Sequence, residues 1–364
     1  MPNKNEEAKS ENEKKRVKLA NKKAKLENKK LKQKETSSKN KKAEIENKKA
    51  ENKEAKPEEL NAKTSKYIKY VSIAILVLIL ITIIGVLNIN RNKNINKDDG
   101  VTKIVTSFYP MYIIAKNLVD GASNVELTNM ADVNVGCLHN YTLKTEDIKK
   151  VENADIFISN GLGMESFINK LIETNNDMDV IDSSANVKNT ISDDDEVNPH
   201  IWTNIDNYIE QVKTVAEKLK EYDHTNAKVY EDNKKEYISK LVKLKNKFNV
   251  ELKKLQGKRA ICLNEAFEYM GKDLGLQLTT LKTDHEESTL SAETLKNVID
   301  VAKTQETKII LVDKNDNKSN AQTIANEIDA QILELNSGLT GSLDKDAYIN
   351  AMEENIEKLK SVEN

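Results

Sequence analysis

The chain has 364 residues, enough for two domains of roughly 150 residues each, and its formal net charge is −2. The charge is unevenly distributed, because residues 1–66 contain 22 Lys and Arg but only 12 Asp and Glu. This arm therefore carries +10 and the rest of the chain −12. The arm has too few apolar residues to bury a core, which excludes a folded domain there.

The basic arm repeats units similar to Glu-Asn-Lys-Lys, at residues 27–30, 46–49 and 51–53. Its lysines could contact anionic lipid or RNA, or the arm could be a solvated, partly helical and disordered tail. No aromatic residue interleaves with the lysines before Tyr67. We therefore interpret the arm as a solvated tail and expect no nucleic-acid partner.

An uncharged apolar run of 18 residues begins at Tyr70 and ends at Leu87. Roughly 20 such residues cross a bilayer core as a helix, so we predict a transmembrane segment over residues 67–90. Lys and Arg are more numerous before the run than after it, which places residues 1–66 in the cytoplasm and the C-terminal part outside the cell. The run is too long for a cleaved signal peptide and no lipid-accepting cysteine follows it, which favours an uncleaved, single-pass anchor in the cell membrane.

Short apolar strands alternate with helical segments beyond residue 100, a pattern typical of βαβ units with parallel sheets. Helices are predicted over residues 112–119 and 145–152. The predicted strands cover residues 104–108, 125–128, 154–158, 259–263, 278–281, 308–312 and 331–335. These two groups of strands predict an α/β fold with two lobes, at residues 101–224 and 257–364, after a linker at 91–100.

A long helical stretch separates the two groups of strands. Residues 226–255 contain no Pro or Gly, and apolar side chains such as Tyr230, Tyr237 and Phe248 recur near helical spacing until Gly257. A helix of about 30 residues would be roughly 45 Å long. We predict one connecting helix over residues 225–256, because the apolar pattern does not persist for enough heptads to form a coiled coil.

Two of the four histidines, His139 and His200, lie in compact polar loops that follow a predicted strand or turn. Neutral imidazole is a common protein ligand of transition metals. Only the folded chain can bring together two histidines that lie 61 residues apart. The sequence therefore predicts a metal site between loops rather than on one helix.

Five segments, in order, resemble motifs of the solute-binding proteins of zinc and manganese ABC importers. They are residues 105–110 (VTSFYP), 139–141 (HNY), 160–165 (NGLGME), 198–202 (NPHIW) and 265–269 (EAFEY). The resemblance implies two lobes, a rigid connecting helix and Zn²⁺ or Mn²⁺ as the transported ligand. It also implies an ABC permease as partner and a binding protein rather than an enzyme.

The resemblance implies that His139 and His200 are metal ligands from the first lobe, and that the second lobe adds a histidine or glutamate and then an aspartate. The sequence departs from this pattern, because Asn264 and Asn336 occupy the two second-lobe positions. A neutral amide is a poor ligand for zinc, which prefers Cys, His and carboxylate. Some other group is therefore required to complete the site.

Several side chains near these positions could complete the site. Glu265 adjoins the third-ligand position, with Glu268 one turn further, and His285 lies in a polar loop after a second-lobe strand. We predict His285 and Glu265 as the second-lobe ligands. Cys137 and Cys262 lie near the predicted cleft and could be small buried residues, a disulfide that locks the lobes, or thiolate ligands that favour zinc or Cu(I).

These features predict a membrane-tethered extracytoplasmic solute-binding protein that captures a divalent metal ion, zinc rather than manganese, for an ABC importer. The alternative is a surface adhesin or scaffold with a degenerate metal site, since Asn264 and Asn336 replace two ligands. A zinc hydrolase would require a water activated by a carboxylate such as Glu265. No His-Glu-x-x-His motif supports that function.

Overall fold

The computed structural model describes residues 100–139, 141–193, 196–281 and 290–363. The predicted basic arm, the predicted span from Tyr70 to Leu87, nearly all of the linker and His285 therefore lie outside the described residues. Among the helices of the described ranges, none combines the length and the apolarity that a bilayer crossing requires.

The first lobe is built on a four-stranded parallel sheet with the strand order β2-β1-β3-β4. Its elements are β1 (Thr102–Thr106), α1 (Tyr109–Leu118), β2 (Val125–Asn129), α2 (Thr145–Glu152), β3 (Ile156–Ser159), α3 (Ile168–Thr174) and β4 (Asp179–Asp182). Parallel strands require crossover connections, here through helices, and those helices cover the sheet. All four residues of β3 are accordingly buried.

A short hairpin and two helices follow the first sheet. They are β5 (Ser192–Asp193), β6 (Glu196–Val197), a 3₁₀ turn (Ile201–Thr203), α4 (Ile205–Tyr222) and α5 (Ala227–Glu251). The side chain of Asn204 caps α4 by accepting a hydrogen bond from the backbone N–H of Asn207 at 3.0 Å. Helix α5, with 25 residues, is the long connecting helix that the sequence predicts.

The second lobe repeats the architecture of the first. Its elements are β7 (Arg259–Cys262), α6 (Glu268–Asp273), β8 (Gln277–Thr280), α7 (Ala292–Thr304), β9 (Ile309–Asp313), α8 (Ser319–Ile328), β10 (Gln331–Leu335) and α9 (Ala347–Lys360). The four strands are parallel and lie in the order β10-β9-β7-β8. The prediction of two α/β lobes with parallel sheets and one long helix is confirmed.

The second sheet is buried on both faces. Along β9, Ile309 and Leu311 pack into an apolar core that also contains first-lobe residues. The alternate residues Ile310 and Val312 pack into a separate cluster with α7 and α8. Because successive side chains of a strand point to opposite faces, both faces of such a strand must be apolar, as they are from Ile309 to Val312.

A tyrosine stack joins the helices of the two lobes. The ring of Tyr208 on α4 stacks on that of Tyr348 on α9, with 3.6 Å between their centroids. The Tyr208 hydroxyl also lies 3.1 Å from that of Tyr237 on α5. Helix α5 contacts α1, α4 and α9. The lobes therefore share one continuous core along this helix rather than a flexible linker.

Most predicted boundaries differ from the observed ones by one to five residues, and two of these differences have a local reason. Helix α1 begins at Tyr109 rather than at residue 112, because Pro110 lies in the first turn, where its missing N–H costs no hydrogen bond. Helix α5 ends at Glu251, and a separate 3₁₀ turn covers Lys253–Leu255 before Gly257. Apolar periodicity alone does not distinguish a continuing helix from a tighter final turn.

The turn after β3 depends on a glycine and a buried carboxylate. Gly161 has a φ of +86°, and an added Cβ would lie 2.0 Å from Oδ1 of Asp182. Glu165 accepts hydrogen bonds from the backbone N–H groups of Asn160 at 2.7 Å and Gly161 at 3.1 Å. Burial raises the pKa of Glu165 to about 7, although these two N–H donors favour its charged form.

We expect Gly161→Ala to lower the free energy of unfolding by about 2 kcal/mol or more, since it combines an unfavourable φ with a collision. Gly163→Ala is the matched control, because Gly163 has a φ of +84° but no atom within 4 Å of an added Cβ. In this control, the free energy of unfolding is expected to fall by only about 1 kcal/mol. Urea titration of the detergent-solubilised full chain, followed by Trp202 fluorescence, measures both values. Equal losses would contradict the close contact with Asp182.

Candidate metal site

Both sheets direct their loops toward one cleft. In open parallel sheets, ligands bind outside the carboxyl ends of the strands, where the strand order reverses. The order reverses between β1 and β3 in the first lobe and between β7 and β9 in the second. The cleft has a volume of about 710 Å³. Its lining residues include Cys137, His139, His200, Asn264, Asp313, Asp316 and Ser337.

The loop after β2 presents Cys137 and His139 on either side of a buried anchor. Leu138, between them, is fully buried. The loop is closed by a hydrogen bond from the Tyr141 N–H to the Leu138 carbonyl, at 3.0 Å. The Tyr141 hydroxyl in turn donates to Asp147 at 2.7 Å. These contacts hold the thiol and the imidazole at the edge of the cleft.

His200 is oriented by Asn198. The amide nitrogen of Asn198 donates to the Glu265 carbonyl at 3.0 Å and to a Glu268 carboxylate oxygen at 2.8 Å. Its Oδ1 therefore faces the histidine, and lies 2.9 Å from His200 Nδ1. An amide oxygen can only accept, so Nδ1 carries the proton and Nε2 keeps its lone pair for a metal.

Three potential ligand atoms converge from these two loops. The Cys137 sulfur lies 3.3 Å from His139 Nδ1 and 3.5 Å from His200 Nε2. One ligand atom from each of the three residues lies within 4.8 Å of the others. Bonds of about 2.0–2.3 Å to a tetrahedral zinc ion place neighbouring ligand atoms roughly 3.3–3.8 Å apart. The observed spacing is therefore compatible with one bound ion.

The second lobe adds the carboxylate of Glu265. Its Oε1 lies 3.7 Å from the Nδ1 atoms of both His139 and His200. The Glu265 side chain is 22% exposed, compared with 26% for His139 and 1% for His200. The predicted residues His139, His200 and Glu265 are thus brought together, whereas His285 lies outside the described residues. That these side chains bind a metal stays a prediction.

The two asparagines at the second-lobe ligand positions are engaged in other hydrogen bonds. Asn264 Oδ1 accepts from the Ala266 N–H at 3.0 Å, and its amide nitrogen donates to Asp316 at 2.8 Å. Asn336 Oδ1 accepts from the Gly338 N–H at 3.0 Å. Their oxygens therefore stabilise turns, which agrees with the poor affinity of amides for zinc.

The two cysteines have different surroundings, and both are free. Cys262 is fully buried and donates to the Asn264 carbonyl at 3.0 Å, away from the histidines. Burial raises the pKa of its thiol to about 12. Burial also raises the pKa of Cys137 to about 11, and the Glu265 carboxylate acts in the same direction. Both groups are therefore thiols at neutral pH when no metal is bound.

The sequence interpretation assigns no role to three residues that the structure places at or beside this cleft. Asn198 lies within the fourth motif, and its position two residues before His200 permits an Asx-type contact. Asp313 is the last residue of β9, Asp316 lies three residues later, and both line the cleft. The carboxyl end of the predicted strand at 308–312, followed by two acidic residues, is the signal that indicates them.

Curated relatives and a solved structure match most of the chain. The high-affinity zinc uptake system protein ZnuA of Bacillus subtilis is 28% identical over 280 residues, which cover 71% of this chain and 86% of that protein. The manganese-binding lipoprotein MntA of Halalkalibacterium halodurans is 27% identical over 275 residues, covering 73% and 90%. The solute-binding protein FpvC of P. aeruginosa, in complex with Ni²⁺, matches with a TM-score of 0.64 and 25% identity, covering 71% and 96%.

The family model described as zinc-uptake complex component A, periplasmic, matches residues 104–362. This range includes both lobes, the connecting helix and every residue of the cluster around His139 and His200. The chain therefore belongs to the ZnuA family of metal-binding solute-binding proteins, which are not enzymes.

Proposed function

We propose that this chain is a membrane-tethered extracytoplasmic solute-binding protein that captures a divalent metal ion, zinc rather than manganese, and delivers it to the permease of an ABC importer. The observation that carries the proposal is the convergence of Cys137, His139 and His200 at the cleft between the lobes. The family supports the importer role, and its named relatives include zinc and manganese proteins.

The proposed ligands are His139 and His200 from the first lobe and Glu265 from the second, with His285 as a further candidate. Imidazole nitrogen suits zinc, whereas manganese prefers carboxylate, carbonyl and water oxygen. Asn264 and Asn336 occupy the two positions where the family resemblance implies a histidine or glutamate and an aspartate, so neither position supplies a carboxylate oxygen. The net charge of −12 on the chain beyond residue 66 would attract cations to the cleft.

The proposed attachment to the membrane is the apolar run from Tyr70 to Leu87, with residues 1–66 in the cytoplasm. Residues 101–224 and 257–364 would form the two lobes, and 225–256 the connection. The linker at residues 91–100 would then keep the metal site close to a permease in the same membrane, which raises its effective concentration there.

A scaffold or adhesin with a degenerate site is the second candidate. The observation that favours it is the engagement of both Asn264 and Asn336 oxygens in turn-stabilising hydrogen bonds. This candidate predicts a folded protein that binds no divalent ion tightly. A metal titration therefore separates it from the importer receptor.

Substitution of either first-lobe histidine is expected to weaken zinc binding by at least about tenfold, because each removes one ligand of a small set. Calorimetric titration of Zn²⁺ and Mn²⁺ into the reduced, chelator-stripped full chain, compared with His139→Ala and His200→Ala, measures this. Wild type is expected to bind one Zn²⁺ more tightly than Mn²⁺.

His224→Ala is the matched control, since His224 lies in an exposed turn, where its Nδ1 is 3.0 Å from the Lys220 carbonyl oxygen. Its zinc affinity should equal that of wild type. Unchanged affinity in both cleft variants would place the site elsewhere. A folded wild type that binds neither ion would favour the scaffold.

Asn198→Ala is expected to weaken zinc binding by about tenfold, because His200 Nδ1 would lose the acceptor that fixes its tautomer. Asn198→Asp is the matched variant, since it keeps an oxygen acceptor for Nδ1 while it loses the amide donor to Glu265 and Glu268. It should retain most of the affinity in the same titration. An equal loss in both variants would show that the amide donor, not the acceptor, matters.

A further inference from the structure

We infer that Cys137 is itself a metal ligand, and that its thiolate makes the site selective for a thiophilic ion of the zinc class over manganese. The inference rests on the proposed metal-binding function and specifies the ligand set of that same site. It adds a cysteine to the proposed ligands, although the family motifs around His139 and His200 do not require one.

The position of the sulfur is the first argument. Cys137 Sγ lies between two imidazoles, 3.3 Å from His139 Nδ1 and 3.5 Å from His200 Nε2. Asn198 leaves a lone pair on that Nε2, as its hydrogen bond to Nδ1 shows. Both rings thus present a nitrogen to the sulfur, and one ion can contact all three atoms. Cysteine thiolate and histidine imidazole are both common zinc ligands.

The contrast between the two cysteines is the second argument. Cys262 has the surroundings of a packing residue, since it is fully buried and its thiol donates to a backbone carbonyl. Cys137 is only partly buried and lines the cleft. Its sulfur also lies 3.7 Å from the sulfur of Met164. Packing alone does not require a thiol to face two histidines.

The ligand count and charge are the third argument. Asn264 and Asn336 supply no carboxylate, so His139, His200 and Glu265 together offer three ligands and one negative charge. Cys137 provides the fourth ligand and the second negative charge, which together match a tetrahedral divalent zinc ion. Manganese gains little from a thiolate and favours a larger set of oxygen ligands.

The coordination step is balanced without any further reactant. The bond from Cys137 Sγ to the ion replaces the S–H bond, and the thiol proton passes to solvent. No electron is transferred, so a redox-inactive ion such as Zn²⁺ is sufficient. The release of this proton makes binding tighter as the pH rises.

The test uses the reduced, chelator-stripped full chain in detergent, with Zn²⁺, Mn²⁺ and the spectroscopic probe Co²⁺. The variants are Cys137→Ala, the matched control Cys262→Ala, and His139→Ala. Wild type and Cys262→Ala should show a near-ultraviolet sulfur-to-cobalt charge-transfer band that Cys137→Ala lacks. Cys137→Ala should also bind Zn²⁺ about tenfold more weakly or worse, while its affinity for Mn²⁺ changes little.

Three outcomes would overturn the inference, and they differ in whether the proposed function survives. If wild type binds Zn²⁺ in a manner that depends on His139 but shows no sulfur-to-cobalt band, and Cys137→Ala keeps its zinc affinity, then Cys137 is not a ligand and the proposed function stands. If folded wild type binds none of the three ions, the inference and the proposed function fail together. If Cys262→Ala alone lost the sulfur-to-cobalt band, the thiolate ligand would be Cys262 rather than Cys137.

Discussion

The hydrogen bonds of the Asn198 side chain determine how the two lobes meet at the metal site. Its amide nitrogen bonds to Glu265 and Glu268 of the second lobe, and its oxygen bonds to His200 of the first. The orientation of one amide thus sets both the tautomer of the histidine and the position of the carboxylate segment beside it. The geometry of the whole cluster depends on this small network, because His200 is fully buried and Asn198 contacts its ring nitrogen.

The shared core between the lobes limits how an ion could leave. The stacked rings of Tyr208 and Tyr348 link the lobes, as does the hydrogen bond from Trp202 Nε1 to the Ser337 carbonyl at 2.9 Å. Opening them as rigid bodies would expose much of that core to water. Local movement of the cleft loops, including the one that carries His139, is the less costly route.

The candidate site departs from the family motifs at Asn264 and Asn336, while the chain keeps the architecture of the family. The amides of Asn264 and Asn336 have become parts of turns. The cleft retains negative charge close to the histidines through Glu265, and Cys137 supplies a thiol that faces both rings. Replacing oxygen donors by sulfur changes the preferred ion without altering the sheets that position the loops.

Sequence patterns by themselves determined the two α/β lobes and the long helix, and singled out His139 and His200 as candidate ligands, because apolar periodicity and local motifs are short-range signals. Only the tertiary structure decided which other side chains reach them. Cys137 and His200 are 63 residues apart, yet their sulfur and nitrogen atoms lie within 3.5 Å. Glu265 joins the histidines while Cys262 does not, although both lie near the end of the same strand. The physical reason is that convergence depends on strand order, loop conformation and hydrogen-bond partners, none of which is expressed in the spacing of residues along the chain.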